Sequence, residues 1–340
     1  MALECKDKGL CYVIILNYNN WRDTIECLET VLKTSYRDFK VIVCDNGSTN
    51  DSYKKMIEWA QGKIIADCSD RIEIRSMVLP FVNKPIEFSL YDREKAVHTK
   101  LTFVNIKKNL GFAGGMNVGI RIALLDKKCK FIWCLNNDTV VRKDVMSKMI
   151  KLLCQNANCG ICSSYTRKYS SPNEYDPGLT RIKVNKWLGT NTLFLEDSDR
   201  PIDQFKDYDG ASFMVTRKFI EDIGLMEEKY FLYFEEPDWT LRGWKAGYKV
   251  VYCKDGVVYH KGGASTKSDS RSLASDYYMI RSRILFTKKF YPYCIPTVYL
   301  GLIASIINRI RRRQYKRVWM ILRLMINPQM TFSQYIQEER

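Results

Sequence analysis

Apolar residues fall along this chain in short runs separated by amphipathic stretches. "LCYVIILNYN" (Leu10–Asn19) is apolar for seven residues and then turns polar, as a strand buried on both faces does. From Trp21 to Lys33, residues Ile25, Leu28, Val31 and Leu32 recur at the spacing of one helical face. "FKVIVCDNGST" is a second strand ending in turn residues, and "NDSYKKMIEWA" opens a helix on an Asn/Asp/Ser capping signal. "LTFVNI", a helix from about Gly114 to Leu125, and "KFIWCL" continue the alternation. Short apolar strands joined by helices predict an α/β domain with a mainly parallel sheet covered on both faces. Ligands bind such sheets at the carboxyl ends of the strands. The polar tips "DNGST" and "NNDT" are expected to face one crevice there.

Elsewhere the pattern lapses. Residues Ile72 to Lys100 hold two prolines and no clean period, which predicts an excursion from the sheet such as a small hairpin. From Ser163 to Asp207 the chain is rich in Tyr, Asn, Asp and Pro, a composition suited to long active-site loops. Regular structure resumes with "GASFMVTRKFIEDIG", a helical segment around "PDWTLRGWKAG", and the strands "YKVVYC" and "GVVYH". No internal repeat or low-complexity segment appears.

Composition narrows the class. The 340 residues are 46% hydrophobic and 27% charged, which is ordinary globular chemistry and excludes wholesale disorder. Lys and Arg outnumber Asp and Glu by 54 to 38, a net +16 that suits polyanionic partners. Of the twelve cysteines, Cys11, Cys44, Cys134 and Cys253 lie in apolar strand runs as small hydrophobes. Cys159 and Cys162 form the one CxxC, with no second pair at zinc-ribbon spacing, so reduced thiols in a cytosolic compartment are expected. The opening "MALECKDKGL" has no apolar core, and no signal peptide is expected.

The polar clusters carry the candidate chemistry. Asn136, Asn137 and Asp138 end a buried strand, where plain turn formers are also common. "VIVCDNGSTND" alone reads as a turn. "NLGFAGGMNVG" has glycines that let backbone approach a phosphate or ribose, but not at G-x-G-x-x-G spacing. "YFLYFEEPDWTLRGW" sets Glu235, Glu236 and Asp238 at a helix N-terminus, with Pro237 suited to the first turn. The helix dipole accounts for one acid there, but hardly for three. His260 ends a strand, where a lone histidine is more often structural than a ligand.

In this order, "VIILNYNN", "IVCDNGSTND", "NLGFAGGMNVG", "LNNDT", the run from Asp209 to Tyr252 and "YHKGGAS" resemble the inverting family 2 glycosyltransferases. The resemblance spans about residues 10 to 290 and is nearest to the bacterial rhamnosyltransferase-like branch, which builds surface polysaccharides. It implies a GT-A fold over 1–275, with a donor half over about 1–140 and an acceptor half over about 141–275. A C-terminal region of basic and apolar helices, 276–340, would follow. Asn17 and Asn19 fall where the first-strand loop meets the nucleotide, Asp45 where a carboxylate contacts the base, and Asn109 and Asn117 on the same donor wall. Asn136, Asn137 and Asp138 occupy the D-x-D position, with Asp138 as ligand of a Mg2+ or Mn2+ ion bridging the sugar-nucleotide diphosphate. Asn136 stands where many relatives carry the first Asp, and one anion fewer should weaken the metal's hold. His260 falls where some members supply a further ligand. In the E-D-x-D pattern the second acid is the general base; here that is Glu236, with Glu235 the alternative and Asp238 structural or acceptor-orienting. Asp209, Gly210 and Trp239 fall on the acceptor side, and Trp187 and Trp244 are further candidates for stacking on sugars. The implied donor is dTDP-L-rhamnose, with a UDP-hexose or UDP-N-acetylhexosamine as the alternative; the acceptor is a glycan, in particular a lipid-linked one.

The C-terminal region adds a location. "CIPTVYLGLIASII" is apolar from Cys294 to Ile307 but holds Pro296 and Gly301, and is shorter than the roughly 20 residues a spanning helix needs. Seven Arg and Lys follow between Arg309 and Arg323, interleaved with Trp319, Met320, Ile321 and Leu322. Cations crowded beside an apolar segment suit an anionic membrane surface better than nucleic acid. A peripheral enzyme on the cytoplasmic face of the cell membrane is therefore expected, against the plainer possibility of an amphipathic helix packed on the domain.

Overall fold

The computed structural model describes residues 9–92, 99–172, 181–193, 207–208, 210–262 and 272–338. The first half runs β1 (Leu10–Asn17), α1 (Trp21–Val31), β2 (Phe39–Asn46), α2 (Ser52–Ala60), α3 (Ile72–Val78), β3 (Phe88–Leu90), β4 (Leu101–Ile106), α4 (Gly111–Leu124), β5 (Cys129–Asn136) and β6 (Thr139–Val141). The second half continues with α5 (Val145–Gln155), β7 (Cys159–Lys168), β8 (Arg181–Asn185), β9 (Thr190–Leu193), β10 (Asp207–Tyr208), β11 (Ser212–Thr216), α6 (Arg217–Ile223), α7 (Glu235–Lys245) and β12 (Lys249–His260). Four helices close the chain: α8 (Leu273–Phe290), α9 (Ile295–Arg311), α10 (Tyr315–Ile326) and α11 (Phe332–Glu338).

Nine strands form one sheet in the order β3-β4-β2-β1-β5-β11-β7-β12-β6, continuous across residue 140. Pairing is parallel from β3 through β5 and between β7 and β12; β11 runs antiparallel to both neighbours, and β6 antiparallel to β12. Side chains alternate across the sheet as strand geometry requires. On one face Val13, Ile15, Val43 and Trp133 pack with Ile25 and Leu28 of α1, Trp59 of α2 and Met149 of α5. On the other, Tyr12, Ile14, Ile42 and Cys134 pack with Met116 and Ile120 of α4, Phe219 of α6 and Trp239 of α7. Each strand is thus buried on both sides, which is why it reads as an unbroken apolar run rather than an alternation. The described cysteines are free thiols, and Cys11, Cys44, Cys134 and Cys253 are core residues.

Two segments differ from expectation. Residues 72–90 hold no hairpin: α3 is followed by β3, which extends the sheet as a parallel edge strand beside β4. β7 continues regularly through Lys168, and β8, β9 and β10 form a separate antiparallel sheet ordered β10-β8-β9. A three-residue edge strand is too short to imprint a period on the sequence.

The C-terminal helices share a core of their own, in which Tyr277, Ile280 and Ile284 of α8 meet Val298 and Leu302 of α9 and Met320, Ile321 and Leu324 of α10. Asp276, buried on α8, accepts hydrogen bonds from Arg309 at 2.9 Å and Arg317 at 2.5 Å. The expected short apolar stretch is longer in the structure. With the preceding 3-10 turn the helix runs Pro292–Arg311, 20 residues, long and apolar enough by length and composition to cross a membrane. Pro296 does not interrupt it, because it lies in the first turn, where its missing N–H has no intrahelical partner to lose.

Candidate active site

β1 and β2 end side by side, with Asn17 opposite Asp45 in register. Both are buried, and Asn17 Nδ2 donates to Asp45 Oδ1 at 2.6 Å while Ser48 Oγ donates to the same oxygen at 2.5 Å. Asn17 Oδ1 accepts from Thr24 Oγ1 at 2.9 Å, tying the strand end to α1. Asn19 lies in the left-handed region (φ 57°), which short polar side chains tolerate. Its side-chain oxygen accepts from Thr49 N at 2.8 Å, so it fastens the loops after β1 and β2 to each other.

Asn109 and Asn117, candidates for the donor wall, both engage the protein itself through their side chains. Asn109 Oδ1 accepts from Asn46 Nδ2 at 3.1 Å and from Gly111 N at 2.9 Å, shaping the turn into α4. Asn117 is buried and committed on both sides: its Nδ2 donates to Met226 O and Glu228 Oε1, each at 2.9 Å, and its Oδ1 accepts from Met226 N at 3.2 Å. The glycines of this motif serve packing rather than approach to a ligand. A Cβ at Gly115 would lie 2.4 Å from Leu16, and Gly111 (φ 75°) would place one 2.2 Å from Phe231 O.

The three polar residues after β5 part company. Asn136 N donates to Ala211 O at 2.9 Å, fixing the strand end beside the start of β11. Asn137 turns back: its Nδ2 donates to Thr24 Oγ1 at 3.0 Å and Asn20 O at 3.2 Å, so it braces α1. Asp138 turns the other way, and its Oδ1 lies 3.1 Å from His260 Nε2 at the end of β12. β12 reaches this point because His260 pairs with Thr139 of β6.

Beside His260 stands Lys261, which the sequence did not single out. Its backbone N donates to Asp138 O at 2.9 Å, and its ammonium pairs with Asp23 and, at 2.5 Å, with Glu26. Burial works against the charge, but the two carboxylates outweigh it and hold the ammonium well above the usual lysine range. Glu26 also accepts from Tyr169 at 2.7 Å, and burial with that bond pushes the phenol up to about 12. The cluster locks the end of β12 onto α1. Nothing in the sequence beyond a lysine after "YH" signals it.

The acids of α7 also separate. Asp238 is 0% exposed and accepts from Arg242 Nε at 2.6 Å, Lys289 Nζ at 2.5 Å and Tyr230 Oη at 3.0 Å. A carboxylate so enclosed joins α7 to α8. Trp239 is likewise enclosed: it is buried, its Nε1 donates to Gly224 O at 2.8 Å, and Phe213 and Phe219 meet it edge-on, leaving no ring face for a sugar. Glu235 is 2% exposed, whereas Glu236 is half-buried. A Cβ at Gly210 would come within 2.0 Å of Glu236 Oε1, so the missing side chain there is what admits the carboxylate. Burial raises the Cys134 thiol, and the Glu236 charge raises it further. Asp209 lies outside the described residues. Trp187 and Trp244 are exposed.

The approach to α7 is held in unfavourable backbone. Phe231, Tyr233 and Phe234 have φ of 68°, 68° and 74°, a region that costs non-glycine residues of order 1–3 kcal/mol each. Phe231 O accepts from Phe112 N at 2.7 Å, anchoring this loop on the start of α4. Asp138 follows β5 and Glu236 packs on Gly210 just before β11, and the Asn136–Ala211 hydrogen bond ties these neighbouring strand ends together.

Comparison with known proteins agrees with this geometry. The family described as Glycosyl transferase family 2 matches residues 12–74 and 93–224, more than half of the chain. The chain belongs to that family and is a glycosyltransferase. It is 20% identical over 245 residues to the low-salt glycan biosynthesis hexosyltransferase Agl10 of Haloferax volcanii, covering 71% of this chain and 74% of that protein. Over 78 residues, 23% of this chain and 24% of the relative, it is 35% identical to an N-acetylglucosaminyl-diphospho-decaprenol L-rhamnosyltransferase of Mycobacterium tuberculosis. The mannosyltransferase PcManGT of Pyrobaculum calidifontis, solved in complex with GDP-Man and Mn2+, superposes with a TM-score of 0.52 at 14% identity, covering 89% of this chain and 77% of that one. The fold is GT-A.

The residues present fit a divalent cation. Asp138 and His260 offer a hard oxygen and an imidazole at 3.1 Å, near the separation of about 3 Å between adjacent ligands of an octahedral ion at about 2.1 Å. Among the described residues no group of three or more His, Cys, Asp and Glu converges, so the protein's share of such a shell is small.

Proposed function

We propose that this glycosyltransferase is inverting and metal-dependent, and transfers L-rhamnose from dTDP-L-rhamnose to a lipid-linked glycan at the cytoplasmic face of a membrane, in surface polysaccharide synthesis. The observation that carries the proposal is that Asp138, just after β5, and Glu236, set by Gly210 just before β11, belong to adjoining strand ends of the sheet. Asp45 and Asn17 form the floor on which the nucleotide rests. Asp138 and His260 would hold the Mg2+ or Mn2+ ion, which when bound would offset the charge developing on the leaving diphosphate. Glu236, set by Gly210, takes the proton of the acceptor hydroxyl as that oxygen attacks the anomeric carbon from the face opposite the diphosphate. One displacement inverts the configuration, and the chain needs no nucleophile of its own. The bacterial relative named for L-rhamnosyl transfer to a diphospho-decaprenol glycan supports the sugar and the acceptor class.

A screen of dTDP-L-rhamnose, UDP-hexoses and UDP-N-acetylhexosamines with and without Mn2+ tests this, read as nucleoside diphosphate release and thermal shift. Cation-dependent release from dTDP-L-rhamnose above all others is expected. A UDP-sugar as the preferred donor refutes the rhamnosyl assignment, and release unaffected by chelation refutes the metal.

A further inference from the structure

Arg283 on α8, half-buried, stands apart from the cations of this chain that meet an acid, and from Arg281, whose buried guanidinium donates to the carbonyls of Lys229, Tyr230 and Met330. Asp276 receives Arg309 and Arg317, Asp238 receives Arg242 and Lys289, and Asp23 and Glu26 receive Lys261. Among the described residues Arg283 has no such acid, and its Nε is buried without a hydrogen-bond partner. Burial alone lowers the guanidinium to about 10. Its buried Nε thus forgoes the hydrogen bond that polar groups inside proteins otherwise make.

Its surroundings hold it closely on two sides and are apolar beside it. Two glycines flank it: a Cβ at Gly189, in the β8–β9 turn, would meet Arg283 at 3.0 Å, and one at Gly301 of α9 would meet the guanidinium at 3.0 Å. Beside it lies an exposed apolar ridge of Trp187, Leu188, Tyr293 and Leu300. Trp187 meets Tyr293 edge-on at 6.2 Å, and Thr297 Oγ1 donates to Trp187 O at 2.5 Å, so turn and helix form one surface. The small sheet connects this place with the reaction centre. β10 packs on α7, which bears Glu236, and pairs with β8 at Arg181 and Ile182. From Arg181 to Asn185 the strand advances about 13 Å toward Arg283.

We propose that Arg283 binds the diphosphate of a polyprenyl-diphosphate-linked acceptor, the Trp187–Leu300 ridge takes the first isoprene units, and the sugar reaches Glu236 along the small sheet. This rests on the glycosyltransferase reading and names its acceptor site. An anion supplies the missing partner, and an apolar chain attached to that anion covers the ridge.

Binding of farnesyl diphosphate, farnesol and inorganic pyrophosphate to the full chain carrying Asp138→Asn, which disables the donor diphosphate site, tests the proposal by calorimetry. Farnesyl diphosphate should bind at least tenfold tighter than either fragment, and Arg283→Gln should weaken it about ten- to a hundredfold, as the loss of charge-assisted hydrogen bonds does. Arg283→Lys should restore part of the affinity. Arg283→Met should raise the melting temperature while losing the ligand, which shows that any loss is not misfolding. Unchanged farnesyl diphosphate affinity in Arg283→Gln, or equal affinity for farnesol, overturns the proposal. So does an equal loss of binding to phosphatidylglycerol vesicles, which would assign Arg283 to bulk head groups. With Asp138 restored, UDP and dTDP binding should not respond to Arg283→Gln. If neither nucleotide binds while farnesyl diphosphate does, the donor reading fails and the Arg283 site stands.

Discussion

Asn137 and Asp138 are neighbours in sequence with opposite tasks. The Asn137 amide is spent on Thr24 and Asn20, while Asp138 faces His260 across the crevice. Asn137→Ala should therefore lower the melting temperature, by a loss on the order of 1–3 kcal/mol for the groups left unpaired, and leave nucleotide affinity near wild type. Asp138→Asn should do the reverse, abolishing transfer with the melting temperature nearly unchanged; full activity would remove Asp138 from the metal site. The acids of α7 divide the same way. Glu236→Gln should cost roughly 10²- to 10⁴-fold in turnover with donor binding intact. Asp238→Asn should instead cost on the order of 3 kcal/mol of stability, because Arg242 and Lys289 lose their shared carboxylate. Wild-type turnover in Glu236→Gln would pass the base role to Glu235.

At the scale of elements, the strands, their parallel order and the polar tips were legible, because burial on both faces writes itself into the residue types. Partnership was not. Trp239, Asp238 and Asn117 look like site residues by type and spacing, and only the packing of α4, α6, α7 and α8 shows their polar groups already satisfied. Lys261 and Arg283 were invisible for the converse reason: a cation signals its role by what surrounds it. The join of α4 to α7 through the 231–234 loop is a further case. Gly111→Ala adds a Cβ 2.2 Å from Phe231 O at a positive φ, and it should push that loop and the start of α7 away from Gly210. Turnover should fall much further than the melting temperature accounts for, while nucleotide affinity holds. Parallel losses of turnover and stability would show that the loop does not position Glu236.

For the whole molecule, the proposed membrane location is to be tested on the C-terminal helices. α9 turns Val298 and Leu302 inward, onto α8 and α10, and Leu300, Ile303, Ile307 and Ile310 outward. α10 adds Trp319, Leu322 and Ile326 to the exposed apolar surface, and Arg311, Arg312, Arg313 and Lys316 lie exposed between the two helices. A helix that packs Val298 and Leu302 into a protein core cannot cross a bilayer as an independent span without giving up that packing. In-plane burial of the outer face keeps both the core and the membrane contact. Each cation near an anionic surface contributes about 1 kcal/mol, so replacing Arg311, Arg312 and Arg313 by Gln should weaken binding to phosphatidylglycerol vesicles about a hundredfold. Binding should be absent on phosphatidylcholine and fall with added salt. Substitution within the full chain is the right form of the test, because truncation before Tyr293 would strip α8 of the cover over Tyr277 and Ile284. Donor hydrolysis should survive the triple substitution, since the β5 edge is built without these arginines, while transfer to a vesicle-borne acceptor falls with binding. Undiminished vesicle binding in the triple variant would mean that this face meets something other than an anionic membrane.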